Sequence, residues 1–342
     1  MTELSERKKQ ILANVVEMYV RSGEPVGSKG LISASGLNCS SATVRNDMND
    51  LDRMGYLVQP HTSAGRIPSE KGYRYYVDHL MPHREPDEFT KRLIDAGISP
   101  AAGDPEKLVN TARELLADIT KCAAVSTAPV GALNVIRKIE LVPVGSHTAM
   151  MVLLTSNGIL KSRLCRIESE FNAKVLEEFY SICDKFFIGR PSDEISPAGI
   201  QTIAASVDYD YFVLLPLLGA ISDLAISTND SKLILGGEAN LLSRMDYGER
   251  AVSLLRFLSN KEPISEVIRS SKDNLNVRIG SENIYKQLED SSVVVAKYNV
   301  KGDDSGSISV IGPTRMDYPL VISSMKYLTD LLGRLITSVL EE

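Results

Sequence analysis

The sequence has few of the residues that build metal centres and disulfide frameworks. Its 342 residues include only four cysteines and four histidines. The cysteines are far apart and form no CxxC pair, so we predict neither a zinc site nor a disulfide framework. The histidines do not have the spacing of metal ligands, and GxSxG, Walker A and GxGxxG patterns are missing. We therefore expect a protein that is not an enzyme and binds no cofactor.

Long apolar runs are also missing. No stretch of about 18 apolar residues occurs, and the first ten residues, MTELSERKKQ, contain no apolar signal segment. These absences predict a cytoplasmic protein that does not cross a membrane.

Positive charge is scarce as well. The formal net charge is −6, and residues 1–80 hold 10 Lys and Arg against 9 Asp and Glu. A protein that binds nucleic acid through a broad basic surface would carry an excess of cations. Any DNA contact must therefore depend on a few individual cations, for which the N-terminal sequence offers Arg45, Arg66, Lys71 and Arg74.

The length predicts two or three domains, since one domain usually has roughly 100 to 200 residues. The clearest local signals lie in residues 36–68. Ser40 or Ser41 can cap a helix that ends before Gly55, a residue suited to a left-handed conformation. The apolar positions at helical spacing are Val44, Met48 and Leu51.

The other face of this helix is polar, and a hairpin is predicted to follow it. The polar face carries Ser41, Ala42, Arg45, Asn46 and Asn49. Residues 56–59 and 66–68 are strand-like, and the loop between them contains His61, Thr62 and Ser63. Taken alone, such a helix is more often a solvated helix. Its place in the order of parts favours nucleic-acid binding by a winged helix.

Two further helices are predicted before it. Ser5 can cap the first, which ends near Gly23, and Ser28 can cap the second. The predicted shared core is Val26, Leu31, Leu37, Val44 and Leu51. Ser69 and Glu70 open another helix, whose tyrosines are expected to pack inward rather than to stack on bases.

The remaining sequence predicts a sheet domain that contains an insertion. Residues 82–105 are rich in Pro, Gly and charge and are interpreted as a linker. Strand-like runs occur at RKIELVPVG, TAMMVLLTSNG and ILKSRLCRI, the last two joined by Asn157-Gly158, and strands resume after residue 270. Residues 168–258 between them are expected to be inserted into one sheet. Their apolar stretch YFVLLPLLGAISDLAI is either core or a dimer face.

Three blocks closely resemble the HrcA family of heat-inducible transcription repressors. They are GEPVGSKGL at 23–31, SATVRNDMNDLDRMGYLVQPHTSAGRIPSEKGYRYYVD at 41–78 and GSISVIGPTRMDYPLVI at 306–322. The resemblance implies an α+β multidomain fold with an N-terminal winged helix-turn-helix (1–81), a linker (82–105), a GAF-like antiparallel sheet domain (106–167 and 259–342) and an inserted α/β dimerisation domain (168–258). It also implies a homodimer that binds an inverted-repeat operator in double-stranded DNA, represses chaperone genes and is supported by the GroE-type chaperonin.

Roles for individual residues follow as hypotheses. The expected major-groove residues are Ser41, Thr43, Arg45, Asn46 and Asn49, with Arg45 suited to guanine and Asn46 or Asn49 to adenine. The expected phosphate contacts are Ser28, Lys29, His61, Thr62, Ser63 and Arg66. An enzyme is the main alternative class and a small-molecule sensor the other, with a pocket among Val142, Val152, Leu154, Val294 and Ile311. A filled core is the preferred interpretation of those five residues.

Overall fold

The computed structural model describes residues 4–36, 39–62, 64–82, 84–127, 134–156, 158–168, 170–205, 211–229, 233–244, 248–271, 273–300 and 303–341. These residues form a mixed α+β protein with three antiparallel sheets. Among the described helices, none has both the length and the apolar character that crossing a bilayer requires.

Three helices, a hairpin and a fourth helix form the N-terminal unit. They are α1 (Glu6–Ser22), α2 (Ser28–Ser35), α3 (Ser41–Arg53), β1 (Leu57–Val58), β2 (Ile67–Pro68) and α4 (Glu70–Tyr75), which continues as a π-helical turn over Tyr76–Leu80. Gly23 ends α1 and Gly55 follows α3, with φ of 75° and 80°, as predicted. Ser40 caps α3 and Ser69 caps α4. The prediction that Ser28 caps α2 is wrong, because Ser28 is the first helical residue and Gly27 holds the cap position.

The core of this unit is largely the predicted one. Val26, Leu31, Val44 and Leu51 are buried together, while Leu37 lies outside the described residues. The expectation that the tyrosines of α4 pack inward is also confirmed, since Tyr73 and Tyr76 are buried.

The segment interpreted as a linker contains a packed helix, α5 (Glu88–Ile98), ahead of α6 (Pro105–Thr120). Ile94 and Ile98 of α5 are buried in the same cluster as the N-terminal unit. Tyr327 donates a hydrogen bond to Asp95 at 2.9 Å and ties α5 to the last helix of the chain. The Pro, Gly and charged residues of segment 82–105 lie mostly before and after α5, so they do not prevent this helix from packing against the rest of the protein.

The rest of the chain alternates helices and strands. In order they are β3 (Ala123–Ser126), β4 (Ile136–Pro143), β5 (Thr148–Thr155), β6 (Leu160–Arg166), α7 (Ala173–Phe186), α8 (Pro197–Ala205), α9 (Tyr211–Asn229), β7 (Ile234–Gly236), α10 (Glu238–Arg244), α11 (Gly248–Leu258), α12 (Lys261–Arg269), β8 (Leu275–Ile279), β9 (Ser291–Val300), β10 (Asp303–Pro313) and α13 (Tyr318–Glu341). Five of these strands form one antiparallel sheet in the order β7-β3-β10-β9-β8.

The strands β4, β5 and β6 form a separate three-stranded sheet. The prediction that they belong to the same sheet as the strands after residue 270 is therefore wrong. The physical reason is β3, a four-residue buried strand whose apolar run has no alternation. It pairs with both β10 and β7, so β3, and not β4, continues the sheet beyond β10.

The three-stranded sheet packs its inner face on α7, α8 and α9. The chain leaves the five-stranded sheet after β3 and returns to it at β7, so the inserted unit starts before residue 168. It also ends before residue 258, because Leu233, Leu241 and Leu254 pack on the five-stranded sheet. The predicted hairpin between β5 and β6 is present, with Gly158 at φ 79°, while Asn157 lies outside the described residues.

The predicted sensor pocket is not assembled. Val294 and Ile311 are fully buried on opposite faces of the five-stranded sheet. Val142 is exposed on the three-stranded sheet, where Val152 and Leu154 are half-buried. These five residues therefore do not enclose a common cavity.

Candidate nucleic-acid interface

Helix α3 is positioned by its cap and by its apolar face. The Ser40 hydroxyl accepts the Thr43 N–H at 3.1 Å and lies 2.9 Å from the Thr43 hydroxyl. Val44, Met48 and Leu51 are buried against the other helices of the N-terminal unit. Because these residues face inward, Arg45 and Asn46 are exposed on the opposite side.

Two ion pairs connect α3 to α1. Arg7 contacts the Asp47 carboxylate through Nε at 2.6 Å and Nη2 at 3.3 Å. Lys8 donates to Asp50 at 2.8 Å. The hydrogen bond to Asp47, with its charge, raises the pKa of Arg7, and the hydrogen bond and charge of Lys8 lower the pKa of Asp50. The orientation of α3 is thus held by charge as well as by apolar packing.

This anchor was not predicted from the sequence, although the sequence contains a signal for it. Asp47 interrupts the buried stripe of α3 between Val44 and Met48. A carboxylate at a buried position implies a cationic partner, because an unpaired buried charge is costly. The run Arg7-Lys8-Lys9 on α1 could have been proposed as that partner.

The hairpin is joined to the turn before α2. Val26 and Arg66 exchange two backbone hydrogen bonds of 2.9 Å, which adds a third extended segment beside β2. Gly65 is required there, because a Cβ at that position would lie 2.3 Å from the Val26 carbonyl oxygen. At the tip, the Gln59 amide donates to the carbonyls of Thr62 and Ala64 at 3.0 Å and closes the loop.

The Arg66 side chain connects the hairpin to α3. Its Nη2 donates to Asn49 Oδ1 at 2.9 Å, and its Nε lies 2.8 Å from Asp52 Oδ2. The second contact is an ion pair without hydrogen-bond alignment, since Nε has no hydrogen-bond partner. Only 15% of the Arg66 side chain is exposed.

Two more of the predicted site residues contact each other at the start of α3. Ser28 and Ser41 share a hydrogen bond of 3.0 Å between their hydroxyls, which joins the start of α2 to the start of α3. The exposed members of the predicted set are Lys29, Arg45, Asn46, His61 and Thr62. Ser63 lies outside the described residues.

The four cations that the sequence offered are in different environments. Lys71 donates to the Met54 carbonyl at 2.7 Å and lies over the Tyr56 ring. Arg74 contacts Glu282 and the Val277 carbonyl of the five-stranded sheet. Arg66 contacts Asn49 and Asp52. Within the described part of the chain, Arg45 is the one member of the four for which no ion pair or hydrogen bond is found.

Comparison with known proteins gives the context for this site. Residues 106–322 match the family model described as HrcA protein C terminal domain. Full-length relatives match as well. A protein of Carboxydothermus hydrogenoformans named heat-inducible transcription repressor HrcA is 34% identical over 339 residues, covering 97% of this chain and 98% of that protein. The protein of the same name in Bacillus pumilus is 31% identical over 347 residues, covering 99% and 100%.

This chain belongs to the HrcA family. A crystal structure of a hypothetical protein also matches, with a TM-score of 0.69 and 25% identity over 98% of this chain and 100% of that one. The HrcA resemblance inferred from three sequence blocks is therefore confirmed over nearly the whole length. The family model begins in α6, so it covers the two sheet units, and the N-terminal unit is covered by the full-length relatives.

Proposed function

We propose that residues 4–80 are a winged helix that binds double-stranded DNA with α3 in the major groove. The observation that carries this proposal is the exposed pair Arg45 and Asn46 on a helix fixed by α1, next to a hairpin tip that exposes His61 and Thr62. Arg pairs with guanine and Asn with adenine through two hydrogen bonds each, worth roughly 1 to 3 kcal/mol of discrimination. The whole chain then acts as a transcription repressor, and we propose that its targets are heat-shock genes. Its relatives are named heat-inducible transcription repressor.

The phosphate contacts in this proposal come from both sides of α3. The start of α2 and α3 supplies Lys29 and the Ser28–Ser41 hydroxyl pair, and the hairpin supplies His61 and Thr62. Ser63, which lies outside the described residues, is kept in the proposal as a further phosphate contact. Such contacts set the register on the duplex without reading sequence. Among the described residues of this unit, few cations are free to contact DNA. Two copies of the unit would double the contacts and so provide selectivity, which is why we propose a homodimer on an inverted repeat.

The dimer contact that fits best is the outer face of the three-stranded sheet. One exposed apolar row crosses the three strands, and its members pair directly across them: Val142 with Met150, and Met150 with Leu164. Leu160 extends this row on β6. Large exposed apolar patches on a soluble protein usually mark an interaction surface. The inserted unit would then be the dimerisation domain, and the five-stranded sheet the GAF-like scaffold between it and the DNA-binding unit.

The proposed function needs neither catalysis nor a cofactor, and its DNA target implies a cytoplasmic protein. Heat response follows from marginal stability, because a domain is stable by only about 5 to 15 kcal/mol. Warming then populates an inactive form, and the GroE-type chaperonin restores the active one until heat-damaged proteins occupy it.

DNA binding is tested by band-shift titration on an inverted repeat selected from random duplexes. Arg45→Ala is expected to lose affinity for the selected duplex and much less for a scrambled one. Arg92→Ala, an exposed cation on α5, is the matched control and should bind like the parent protein. Equal losses on both duplexes would remove Arg45 from the base-reading role.

The chaperonin step has its own test. Purified protein is heated, returned to growth temperature and titrated with operator, with and without GroE-type chaperonin and ATP. We expect binding to be lost on heating and regained only with chaperonin. Full affinity retained through heating without chaperonin would contradict this part of the proposal.

A further inference from the structure

Arg66 differs from a typical phosphate-binding arginine in its surroundings. Its main chain is paired in both directions with Val26, and its guanidinium lies between the hairpin and α3. Asn49 and Asp52 hold the guanidinium from the same side of α3, and the side chain is 85% removed from solvent, since 15% is exposed. A guanidinium held in this way has little freedom to follow a DNA backbone.

We propose that Arg66 is a positioning residue that fixes the side-chain amide of Asn49 for base reading. This inference rests on the proposed function. Arg66 Nη2 donates to Asn49 Oδ1 at 2.9 Å, so the amide oxygen is turned towards the hairpin. The Nδ2 group is the end that Arg66 does not hold, and no partner for it occurs among the described residues.

This arrangement gives the two asparagines different chemistry. A bidentate contact with adenine needs the amide oxygen as acceptor and the amide nitrogen as donor. Asn46 is exposed with both groups available among the described residues, so it can make that contact. Asn49 presents its N–H donors and reads an acceptor, which in the major groove is a purine N7, guanine O6 or thymine O4. The sequence-based expectation that either asparagine serves adenine is thereby narrowed to Asn46.

A positioning role and a phosphate role differ in their dependence on salt. Each phosphate neutralised by a cation contributes about −0.9 to the slope of log K against log salt concentration. Removing a phosphate contact therefore flattens the slope and weakens binding to all sequences. Removing a positioning contact leaves the slope unchanged and weakens the preference at one base-pair position in each half-site.

The test uses the full-length protein, the selected inverted repeat and a panel of single base-pair substitutions of it. Three variants are titrated on the whole panel: Arg66→Met, Asn49→Ala and the double variant. Lys29→Ala is the control for a phosphate contact and should flatten the salt slope. Circular dichroism and thermal unfolding are recorded for each variant, because Arg66 also contacts Asp52.

For Arg66→Met we expect a loss of roughly three- to tenfold on the best sequence, the range of one lost hydrogen bond. The preference should flatten at a single symmetric position, the same position as in Asn49→Ala. The double variant should be no weaker than Asn49→Ala, because the two residues act through one contact. Arg66→Lys keeps a donor and is expected to recover part of the preference.

Asn49→Asp supplies a second readout that does not depend on how well Arg66→Met folds. Aspartate keeps the shape of asparagine and the contact with Arg66, but it has only acceptors. The preferred base at the Asn49 position should change to cytosine, which presents the N4 donor.

The outcomes separate the inference from the proposed function. A flattened salt slope in Arg66→Met with equal losses on all sequences would make Arg66 a phosphate contact and overturn the inference alone. An unchanged base preference in Asn49→Asp would overturn it as well. A parent protein without any sequence preference would overturn the proposed function and the inference together.

Discussion

Arg7 on α1 and Asp47 on α3 form a two-pronged ion pair, with N–O distances of 2.6 and 3.3 Å. Asp47 is only 5% exposed and lies within the apolar stripe of α3. A helix that inserts into a groove must hold its angle against the DNA. This pair, together with that of Lys8 and Asp50, fixes α3 on α1 at two points one turn apart.

Replacement of Arg7 by methionine is expected to lower the melting temperature and to weaken operator binding. Methionine retains the apolar stem of the side chain but leaves the Asp47 carboxylate buried without a cation. Arg53→Met is the control for thermal stability, because Arg53 is 82% exposed and 3.7 Å from its partner Asp50. Equal melting temperatures for the two variants, measured by calorimetry, would show that the Arg7 contact does not hold α3.

The pair of Lys8 and Asp50 predicts a pH dependence. Because Lys8 lowers the pKa of Asp50 in the folded state, this carboxylate stabilises the fold above its unfolded pKa of about 3.9. That stabilisation is lost as the pH falls through the lower folded pKa. The melting temperature of Asp50→Asn should therefore lie below that of the parent at pH 6.5, and the gap should close below about pH 4.

Lys8→Met removes the other partner. Its melting temperature should also lie below that of the parent at pH 6.5, and this difference should disappear below about pH 4. The effect is small, since 44% of the Asp50 side chain is exposed to solvent. A gap that is independent of pH would mean that Asp50 acts through packing or through α3 propensity rather than through its charge.

The N-terminal unit could be predicted from sequence because its signals are local. The caps Ser40 and Ser69 and the left-handed glycines Gly23 and Gly55 act within one helical turn. The partners of Arg66 could not be predicted, because Asn49 and Asp52 come close only after the hairpin folds back on α3. A cation at the base of a hairpin is equally compatible with a phosphate contact.

The sheet assignment failed for a related reason. Alternating runs identified β4, β5 and β6 as strands, but periodicity does not specify which strands pair. β3 is too short and too uniformly apolar to be distinguished from the end of α6. Its pairing with β10 spans about half the chain, from Val125 to Ser309, so the decisive contact is non-local.

Gly72 on α4 should not tolerate alanine, although alanine normally stabilises helices. A Cβ at Gly72 would lie 2.1 Å from the Tyr56 carbonyl oxygen, and a backbone group cannot move aside cheaply. We expect Gly72→Ala to destabilise by about 1 to 3 kcal/mol, the usual cost of overpacking. Gly30→Ala on α2 is the matched control. It meets nothing within 4 Å and should gain up to about 1 kcal/mol. The free energy of unfolding is measured by chemical denaturation. A change in the same direction for both variants would refute the predicted clash.

Leu164→Asp is expected to convert the proposed dimer into a monomer. Leu164 is 61% exposed on the outer face of the three-stranded sheet, so aspartate is harmless in a monomer and is buried without a partner in the proposed dimer. Ile284→Asp, at 52% exposure outside that sheet, is the control and should leave the mass unchanged. Sedimentation equilibrium measures both. A parent protein that is monomeric, or a Leu164→Asp variant that stays dimeric, would exclude this face.

Arg74 links the N-terminal unit to the edge of the five-stranded sheet. Its Nη2 donates to the Val277 carbonyl at 2.6 Å and its Nε to Glu282 at 2.8 Å. Glu282 also accepts the Ile279 N–H at 2.9 Å, so the pair covers two backbone groups of edge strand β8. An uncovered edge exposes unpaired backbone groups to solvent and to other strands.

Glu282→Ala should therefore loosen the docking of the N-terminal unit and uncover β8. We expect destabilisation of about 1 to 2 kcal/mol, because the pair is charged but partly exposed. Hydrogen exchange should rise in peptides that contain Ile279 and in those from α4, while exchange in α2 stays as in the parent.

Asp78→Asn is the control, since it removes only the partner of Arg74 within the same helix, at 3.1 Å. The exchanged-charge variant Arg74→Glu with Glu282→Arg should recover part of the protection. If exchange at β8 were the same in Glu282→Ala as in Asp78→Asn, the apolar contact of Tyr73 with Tyr318, at 5.8 Å between ring centroids, would be sufficient to hold the two units together.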